Sequence, residues 1–385
     1  MKPILYKITV LVLAMLGFTL CSCSSDSEFV FPEPSPTYEL VDMVNVFGFY
    51  NQDRYSYCPS VTRDEDGTAH MFLCGNPEEQ IMVDNIYYVR INPDGSQTAP
   101  KSVLQPNPDT WDSFHTCDPS VIAGDFKMEG KSYKYAMFFL GNKRGRYFNE
   151  VGVAFSNEID ADHWVKYPKQ LVEKTWEGEE DQVLSNGSKS WGVGQPSAIS
   201  LDHAGKVLLT YTSGDAVATR VVWCEIDMSD MDTYQPQLAK TMVTGGLKQI
   251  NKVDADHTAN IDFAINLAEN TIIMIRPVHP HPTSYPAFLP QALEINYMPL
   301  NAFMASIGSW STMLRITPQM TGYPRNHNAT IERDLYGEIQ DWRNPTIYYT
   351  VSKAAPDVIA GASTHAEWTY RIWKAQIQEI KSQEK

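Results

Sequence analysis

Short apolar runs alternate with polar turns along most of the chain, and one unit of this pattern recurs five times. Each unit has a polar residue, a small residue or proline, an apolar strand, a polar turn and a second apolar strand. The copies read YCPSVTRDEDGTAHMFLCGN from residue 57, CDPSVIAGDFKMEGKSYKYAMFFLGN from 117, GQPSAISLDHAGKVLLTYTSGD from 194, HTANIDFAINLAENTIIMIRP from 257 and HNATIERDLYGEIQDWRNPTIYYTV from 327. A third predicted strand follows each copy: NIYYVRI, EVGVAFS, RVVWCEI, ALEINYM and WTYRIWKAQI.

The five copies share one register, which aligns Pro59, Pro119, Pro196, Ala259 and Ala329. Five similar units of short strands with few helical patterns predict an all-β fold, a five-bladed β-propeller over residues 41–385. Radial repetition also protects the strand edges of an all-β chain. A β-sandwich is the alternative, but it would leave the common register unexplained.

The N-terminal segment has the pattern of an export signal. Lys2 and Lys7 precede an apolar stretch that is short for a membrane span, and it ends in LCSC at Cys23. This resembles the lipobox of bacterial lipoproteins, and SSDSE resembles the acidic flank of surface lipoproteins of the Bacteroidetes type. The resemblance implies a signal peptide over residues 1–22, a lipid on Cys23, a proline-rich tether over residues 23–40, and a lipoprotein anchored at the outer membrane or cell surface. An ordinary signal peptide is the alternative.

The net charge limits the classes of binding partner, and the cysteine content limits the possible disulfides. The chain has 31 Lys and Arg against 46 Asp and Glu, a net charge of −15, which becomes −17 once Lys2 and Lys7 are removed. This balance argues against nucleic acid or an anionic membrane surface as a partner, and it is compatible with an uncharged, polyhydroxylated substrate. Four cysteines remain outside the signal region, and one bridge can form among them without the sequence selecting the pair: Cys58, Cys74, Cys117 and Cys224.

The second copy carries a more specific resemblance. The segments DPSVI, YAMFFLGN and EVGVAFSNEIDADHWVKYP resemble the blade signature of five-bladed glycoside hydrolases, the arabinanase and β-xylosidase type of family 43 and its relatives. The resemblance covers the whole mature chain at the level of the fold. Its sequence motifs are specific only in the second and third blades. It implies that each first strand starts at an active-site funnel, so that Asp118 faces the substrate while Pro119 fixes the backbone that holds it.

The resemblance also implies a catalytic set, and this chain departs from it. In the family, an aspartate before the first blade's proline is the base, an aspartate in the second blade tunes the acid, and a glutamate in the third blade is the acid. Asp118 matches the second role. Cys58 and Gln195 occupy the other two positions, and neither matches the expected carboxylate.

Two routes could restore the missing carboxylates. A shifted register would bring Asp53 into the funnel. Alternatively, the loops between the second and third strands of each blade open onto the funnel and make Glu150 and Asp215 candidate acids. Asp215, in TSGD, also has the pattern of a turn residue, and Glu150 could simply pair with a neighbouring arginine.

Histidines and aromatic residues supply further candidates for the funnel. His257 and His327 are aligned one position before the equivalent of Asp118. The resemblance implies that one of them supports a structural calcium in the central channel or binds a substrate hydroxyl. A rival prediction is a transition-metal site built from Cys58, Cys117, His257 and His327. Aromatic residues expected at the funnel rim, where rings stack on sugars, are Trp111, Trp191, Tyr285 and Tyr323.

Two hypotheses follow from these observations. The first is a monomeric, surface-anchored glycoside hydrolase, with arabinose or xylose among the candidate sugars, in which Asp118 positions an acid such as Glu150 or Asp215. The second is a glycan-binding lipoprotein that has lost catalysis, as Cys58 and Gln195 suggest. A phosphorylase-like relative is a minor third alternative, which the acidic charge does not favour.

Overall fold

Five antiparallel sheets are arranged as the blades of a β-propeller, which confirms the predicted fold class. The structure is a computed structural model that describes residues 37–49, 53–352 and 365–380. The predicted signal peptide and Cys23 lie outside these residues. Among the described residues, no helix has the length and apolar character needed to cross a bilayer.

The strands follow the predicted order of the repeats. The first strand of the chain is β1 (Thr37–Phe47). Blade one contains β2 (Ser56–Arg63), β3 (Ala69–Gly75), β4 (Asn85–Ile91) and β5 (Lys101–Leu104). Blade two contains β6 (His115–Met128), β7 (Lys131–Asn142), β8 (Glu150–Ser156) and β9 (Val165–Lys166). Blade three contains β10 (Gly192–Ser200), β11 (Lys206–Gly214), β12 (Thr219–Asp227) and β13 (Lys240–Thr241). Blade four contains β14 (Asp262–Asn266), β15 (Thr271–Val278), β16 (Ala292–Pro299) and β17 (Ser311–Ile316).

Blade five is completed by the N-terminal strand. It contains β18 (Arg325–Ile331), β20 (Thr346–Ser352), β21 (Arg371–Ile380) and, at its outer edge, β1. A two-residue strand, β19 (Arg333–Asp334), leaves this blade and pairs with β2. Short helices lie between strands: the 3₁₀ turns Met231–Thr233 and Ala366–Thr369, and the helices α1 (Leu300–Met304) and α2 (Pro318–Thr321).

The pairing of β1 with β21 begins earlier than the sequence suggested. Thr37 is the register partner of Ile380, so the strand takes in residues 37–40, which the sequence analysis assigned to the tether. Backbone hydrogen bonds to β21 occupy an edge that would otherwise be exposed. A proline-rich composition just before the strand gave no local sign of this long-range pairing.

The middle strands of the blades, such as β3 and β8, are buried on both faces because each blade lies between two others. Every residue of β3, AHMFLCG, is buried, and so is every residue of β8, EVGVAFS. Between blades two and three, Phe138 and Phe155 pack with Leu209 and Tyr211. Two-sided burial explains why these strands appear in the sequence as near-continuous apolar runs rather than as strict alternation.

A β-bulge near the start of the first strand explains the repeated proline. In blade two, Cys117 pairs with Leu140 but Ser120 pairs with Phe138, so one extra residue is accommodated at Asp118–Pro119. The first strands of blades one, three and five shift register at the equivalent point. Proline is tolerated there because a bulged residue needs no ladder hydrogen bond.

The repeat alignment is wrong in blade four. The residue equivalent to Asp118 is Asn260, followed by Ile261, whereas the sequence register had placed Ala259 at the proline position. Asn260 and Asp118 share the same backbone conformation and both line the central cavity. His257 therefore precedes the hub by three residues and is not the counterpart of Cys117.

One segment after the first strand of blade five, residues 333–338, pairs with the inner strands of the other blades, and we call it the hub plug. Arg333 pairs with Thr62 of blade one, and the carbonyls of Leu335, Tyr336 and Gly337 accept hydrogen bonds from the backbones of blades two, three and four. The donors are the amides of Ala123, Ser200 and Ile265. A single segment thus contacts the inner strand of every other blade.

Substitution of Gly337 would test how tightly the hub plug packs against the neighbouring blade. Its φ is +90°, and a Cβ there would lie 3.1 Å from Ile199 backbone and side-chain atoms. Gly337→Ala should therefore lower the free energy of unfolding by about 2–3 kcal/mol, measured by urea denaturation. Gly130→Ala is the matched control, because its φ is +71° but no atom of the described residues lies within 4 Å of the added Cβ; it should cost about 1 kcal/mol. Equal losses would show that the plug has room to adjust.

Candidate functional site

Five residues, one from each blade, surround a central cavity and form what we call the hub ring: Cys58, Asp118, Gln195, Asn260 and Asn328. The cavity is small, with a volume of about 30 Å³, and it is lined mainly by polar side chains and prolines.

All five hub-ring residues adopt left-handed backbone conformations, with φ between 42° and 53°. Asparagine tolerates this region, but Cys58, Asp118 and Gln195 are held there at a cost of about 1 kcal/mol or more each. Repetition of the same strained geometry in every blade shows that the bulge directs these side chains toward the axis. Such strain is typical of functional sites.

A second ring below it locks the blades together. Ser120 Oγ accepts a hydrogen bond from the Ala198 amide, and Asp262 Oδ2 accepts one from the Ile331 amide at 2.9 Å. Ser197 Oγ in turn accepts from the next blade and donates to Asp262 Oδ1 at 2.7 Å. These bonds between adjacent blades make the floor of the site rigid.

Asp118 is a half-buried carboxyl at this floor, where the sequence analysis expected it. Burial raises its pKa to about 6; a hydrogen bond from the Cys58 thiol lowers the value and the nearby charge of Asp84 raises it. A carboxyl with this pKa carries a proton in a large fraction of molecules near pH 6. It can therefore serve as a proton donor.

Asp84 is the second carboxylate of the site, and the sequence analysis did not single it out. It is buried directly before β4, and its Oδ1 accepts a hydrogen bond of 2.7 Å from the Tyr55 hydroxyl. The Tyr57 hydroxyl lies 3.2 Å from Oδ2, and His115 Nδ1 lies 2.9 Å from the same oxygen. Sequence placed its loop on the funnel face, but no motif distinguishes Asp84 from the other acidic residues there.

The structure resolves the cysteine pairing that the sequence left open. Cys74 and Cys117 form a disulfide, while Cys58 and Cys224 are free and buried. Burial, reinforced by the charge and hydrogen bond of Asp118, raises the pKa of the Cys58 thiol well above its ordinary value. Cys58 is therefore a neutral thiol and a poor nucleophile at neutral pH.

Glu150 lies away from the hub ring, contrary to its predicted role beside Asp118. It lines a separate cavity of about 540 Å³, together with Trp111, and accepts a hydrogen bond of 2.9 Å from Gln170 Nε2. Burial raises the pKa of Glu150. Glu150 thus lines this outer cavity and not the central one.

Asp215 is a turn residue in this structure. Its Oδ1 accepts hydrogen bonds from the amides of Val217 and Ala218, and its Oδ2 pairs with Arg220 at 3.0 Å. Burial acts to raise the pKa of Asp215, but these hydrogen bonds and the arginine outweigh it and lower the value. Asp215 is therefore ill suited to donate a proton.

The other predicted substrate-binding residues lie at varied distances from the axis. Asp53 packs on the loop after β3, where its Oδ2 accepts a hydrogen bond from Gln80. Gln195 lines the cavity, and its Oε1 accepts a 2.7 Å hydrogen bond from the Thr212 hydroxyl. Trp191 packs against the hub cysteines, whereas Trp111 stacks on Phe139 in the outer cavity.

The histidines do not form the predicted metal site with Cys58 and Cys117. His327 is fully buried, with Nδ1 held 2.6 Å from Asn328 Oδ1. The His257 ring instead lies 4.1 Å from that of His279, on the loop after β15, and the His279 ring lies 4.6 Å from that of His281. Tyr323 packs on Trp373 in the core of blade five, and Tyr285 is half exposed on the loop after β15.

Calcium fits the hub ring poorly. Ca²⁺ prefers six to eight oxygen ligands. Asp262, one of the two carboxylates that line the cavity, is engaged by Ser197, Thr330 and Arg333. What remains is Asp118, side-chain amides and the Cys58 sulfur, a set with too few anionic oxygens.

Comparison with solved structures defines the class of fold. The chain shares the fold of five-bladed-propeller glycoside hydrolases, as the repeat signature implied. It is similar to a family 117 glycoside hydrolase from the marine bacterium Zobellia galactanivorans, with a TM-score of 0.55 and 10% identity over 91% of this chain and 92% of that one. It is also similar to the catalytic domain of a GH62 α-L-arabinofuranosidase from Coprinopsis cinerea, with a TM-score of 0.55 and 9% identity over 89% and 97%. No family model matches the sequence, and no curated protein matches it.

Proposed function

We propose that this protein is a glycoside hydrolase that binds its glycan above the hub ring. The observation that carries the proposal is that the Asp118 carboxyl stands at the strained hub ring and the charge of a second carboxylate, Asp84, acts on it. Several proteins of the same fold are arabinofuranosidases, one from Podospora anserina in complex with cellotriose. Glycans containing arabinose or xylose are accordingly the first substrates to test.

The two carboxyl groups are suited to different tasks. Asp118, protonated below about pH 6, can donate a proton to the glycosidic oxygen as the bond to the anomeric carbon breaks. Asp84, an acceptor for two tyrosine hydroxyls, can stabilise the positive charge that develops on the sugar and accept a proton from the attacking water. Water then supplies hydroxide to the anomeric carbon and a proton to the protein, which balances the reaction.

The surroundings support sugar binding at this place. Tyr55, Tyr57 and Tyr370 pack with ring centroids 5.6 to 6.4 Å apart and form an apolar wall beside Asp84.

The test is product release from a panel of arabinose- and xylose-containing glycans. Asp84→Asn should lower kcat/KM by about 10²-fold, because it removes the charge that stabilises the transition state. Glu150→Gln, a change of the same kind in the outer cavity, should stay within about twofold of the wild type. A large loss in Glu150→Gln with an unaffected Asp84→Asn would move the catalytic site to the outer cavity.

A glycan-binding protein without catalysis is the second candidate. It is favoured by Cys58, a neutral thiol at the position where the resembled family has its base. Under this alternative, the wild type would bind a glycan in calorimetry and release no product from any member of the panel.

A further inference from the structure

Three cysteines and an aspartate converge at the hub. Cys58, Cys74, Cys117 and Asp118 each offer one ligand atom, and these four atoms lie within 4.8 Å of one another. The three cysteines are buried and Asp118 opens on the central cavity. Three sulfurs and a carboxylate form a donor set that thiophilic metal ions prefer.

Polar groups surround the sulfurs as they do around metal-bound thiolates. Asn328 Nδ2 donates a 2.7 Å hydrogen bond to Cys58 Sγ, and the Asp118 amide donates a 2.9 Å hydrogen bond to Cys74 Sγ. The Tyr57 hydroxyl lies 3.2 Å from Cys117 Sγ. Hydrogen bonds of this kind orient ligands and stabilise their anionic form at metal centres, and a disulfide, whose sulfurs are weak acceptors, does not require them.

We propose that reduction of the Cys74–Cys117 disulfide converts the hub into a binding site for a thiophilic divalent ion such as Zn²⁺, with Cys58, Cys74, Cys117 and Asp118 as its four ligands. A dithiol supplies the two electrons and two protons and is itself oxidised to a disulfide. The metal ion then displaces the thiol protons, which pass to solvent. Bridge and metal site are thus two alternative states of the same side chains.

The two states differ in whether the Asp118 carboxylate is free to contact a substrate. With the bridge intact, Asp118 is available to a substrate above the hub ring. With metal bound, Asp118 becomes a ligand, and the ion's charge offsets the repulsion between Asp118 and Asp84. Metal binding itself does not depend on the proposed hydrolase function, so a protein without hydrolytic activity would still bind the ion when reduced.

The experiment compares oxidised and reduced full-length protein. Each is incubated with Zn²⁺ under anaerobic conditions after removal of dithiothreitol and is separated from free metal, and zinc is counted by mass spectrometry. We expect about one zinc per reduced chain and almost none per oxidised chain. Substitution of Co²⁺ should give the intense thiolate-to-metal absorption of a sulfur-rich tetrahedral site in the reduced protein alone.

Two cysteine variants provide the specificity test. Cys58→Ser keeps the bridge-forming pair and should weaken zinc binding by at least about tenfold. Cys224→Ser, which removes the other buried free thiol, should bind zinc like the wild type. The proposal is overturned if the reduced protein binds no more zinc than the oxidised one, if Cys58→Ser binds equally well, or if circular dichroism shows that reduction unfolds the propeller.

Discussion

Replacing Asp118 with asparagine is expected to lower glycan hydrolysis by about 10³-fold or more and, at the same time, to stabilise the protein above pH 7. Asparagine has nearly the same shape but cannot donate the proton that the leaving oxygen needs. It also has no charge to bury. A residue that lowers the stability of the folded protein but is required for catalysis is typical of an active site.

The pH dependence of this effect follows from the raised pKa. Asp118 titrates near pH 6 in the folded protein and near 3.8 when unperturbed. Stability from this group is therefore fully present below about pH 4 and is lost as the pH rises through about 6. Because Asp118 is half-buried and solvent screens it, the gain of Asp118→Asn at pH 8 should be about 1–2 kcal/mol.

Measurements at two pH values separate the two effects. Unfolding free energy and kcat/KM are measured at pH 4 and pH 8 for the wild type, Asp118→Asn and Asp215→Asn. Asp215 is the matched control, because its pKa is lowered, so its substitution should reduce stability at pH 8 and leave the rate unchanged. An Asp118→Asn variant that is less stable at pH 8, or that keeps its rate, would remove Asp118 from the proposed role.

Replacing Arg333 with methionine should cost about 3–5 kcal/mol, the largest stability loss we expect from one residue. Arg333 is only 3% exposed, and its side chain contacts the inner strands of blades two, three and four. Its guanidinium lies 3.3 Å from Asp262 Oδ1, donates a 3.0 Å hydrogen bond to Ser120 Oγ, and also donates to the Phe263 carbonyl. Methionine would leave Asp262, a mostly buried carboxylate, without its cation.

Urea denaturation of single and double variants tests this explanation. Arg343→Met removes an exposed arginine paired with Glu269 and should cost no more than about 0.5 kcal/mol. Combining Arg333→Met with Asp262→Asn should recover part of the lost free energy of unfolding, because the unpaired negative charge of Asp262 is then removed. A small loss in Arg333→Met, or no recovery in the double variant, would show that the hub is held by packing alone.

The sequence determined the architecture because burial leaves a local record. Strands buried on both faces, such as β3 and β8, are predominantly apolar, and five such sets along the chain already specify five blades. The bulge left its own record as a repeated proline after the hub residue. In blade four, Ile261 stands in place of that proline, and the alignment predicted from the sequence is therefore displaced by two residues.

Tertiary structure alone decided which side chains meet. The pairing of β1 with β21, the hub plug and the Cys74–Cys117 disulfide all join residues that are distant along the chain, and such contacts leave no periodic pattern. For the same reason, composition and spacing located Asp118 but could not reveal that the charge of Asp84, rather than that of Glu150 or Asp215, acts on it. The position of a strand in a blade is set by its own residues, whereas the partner of a carboxylate is set by how neighbouring blades place their loops around the axis.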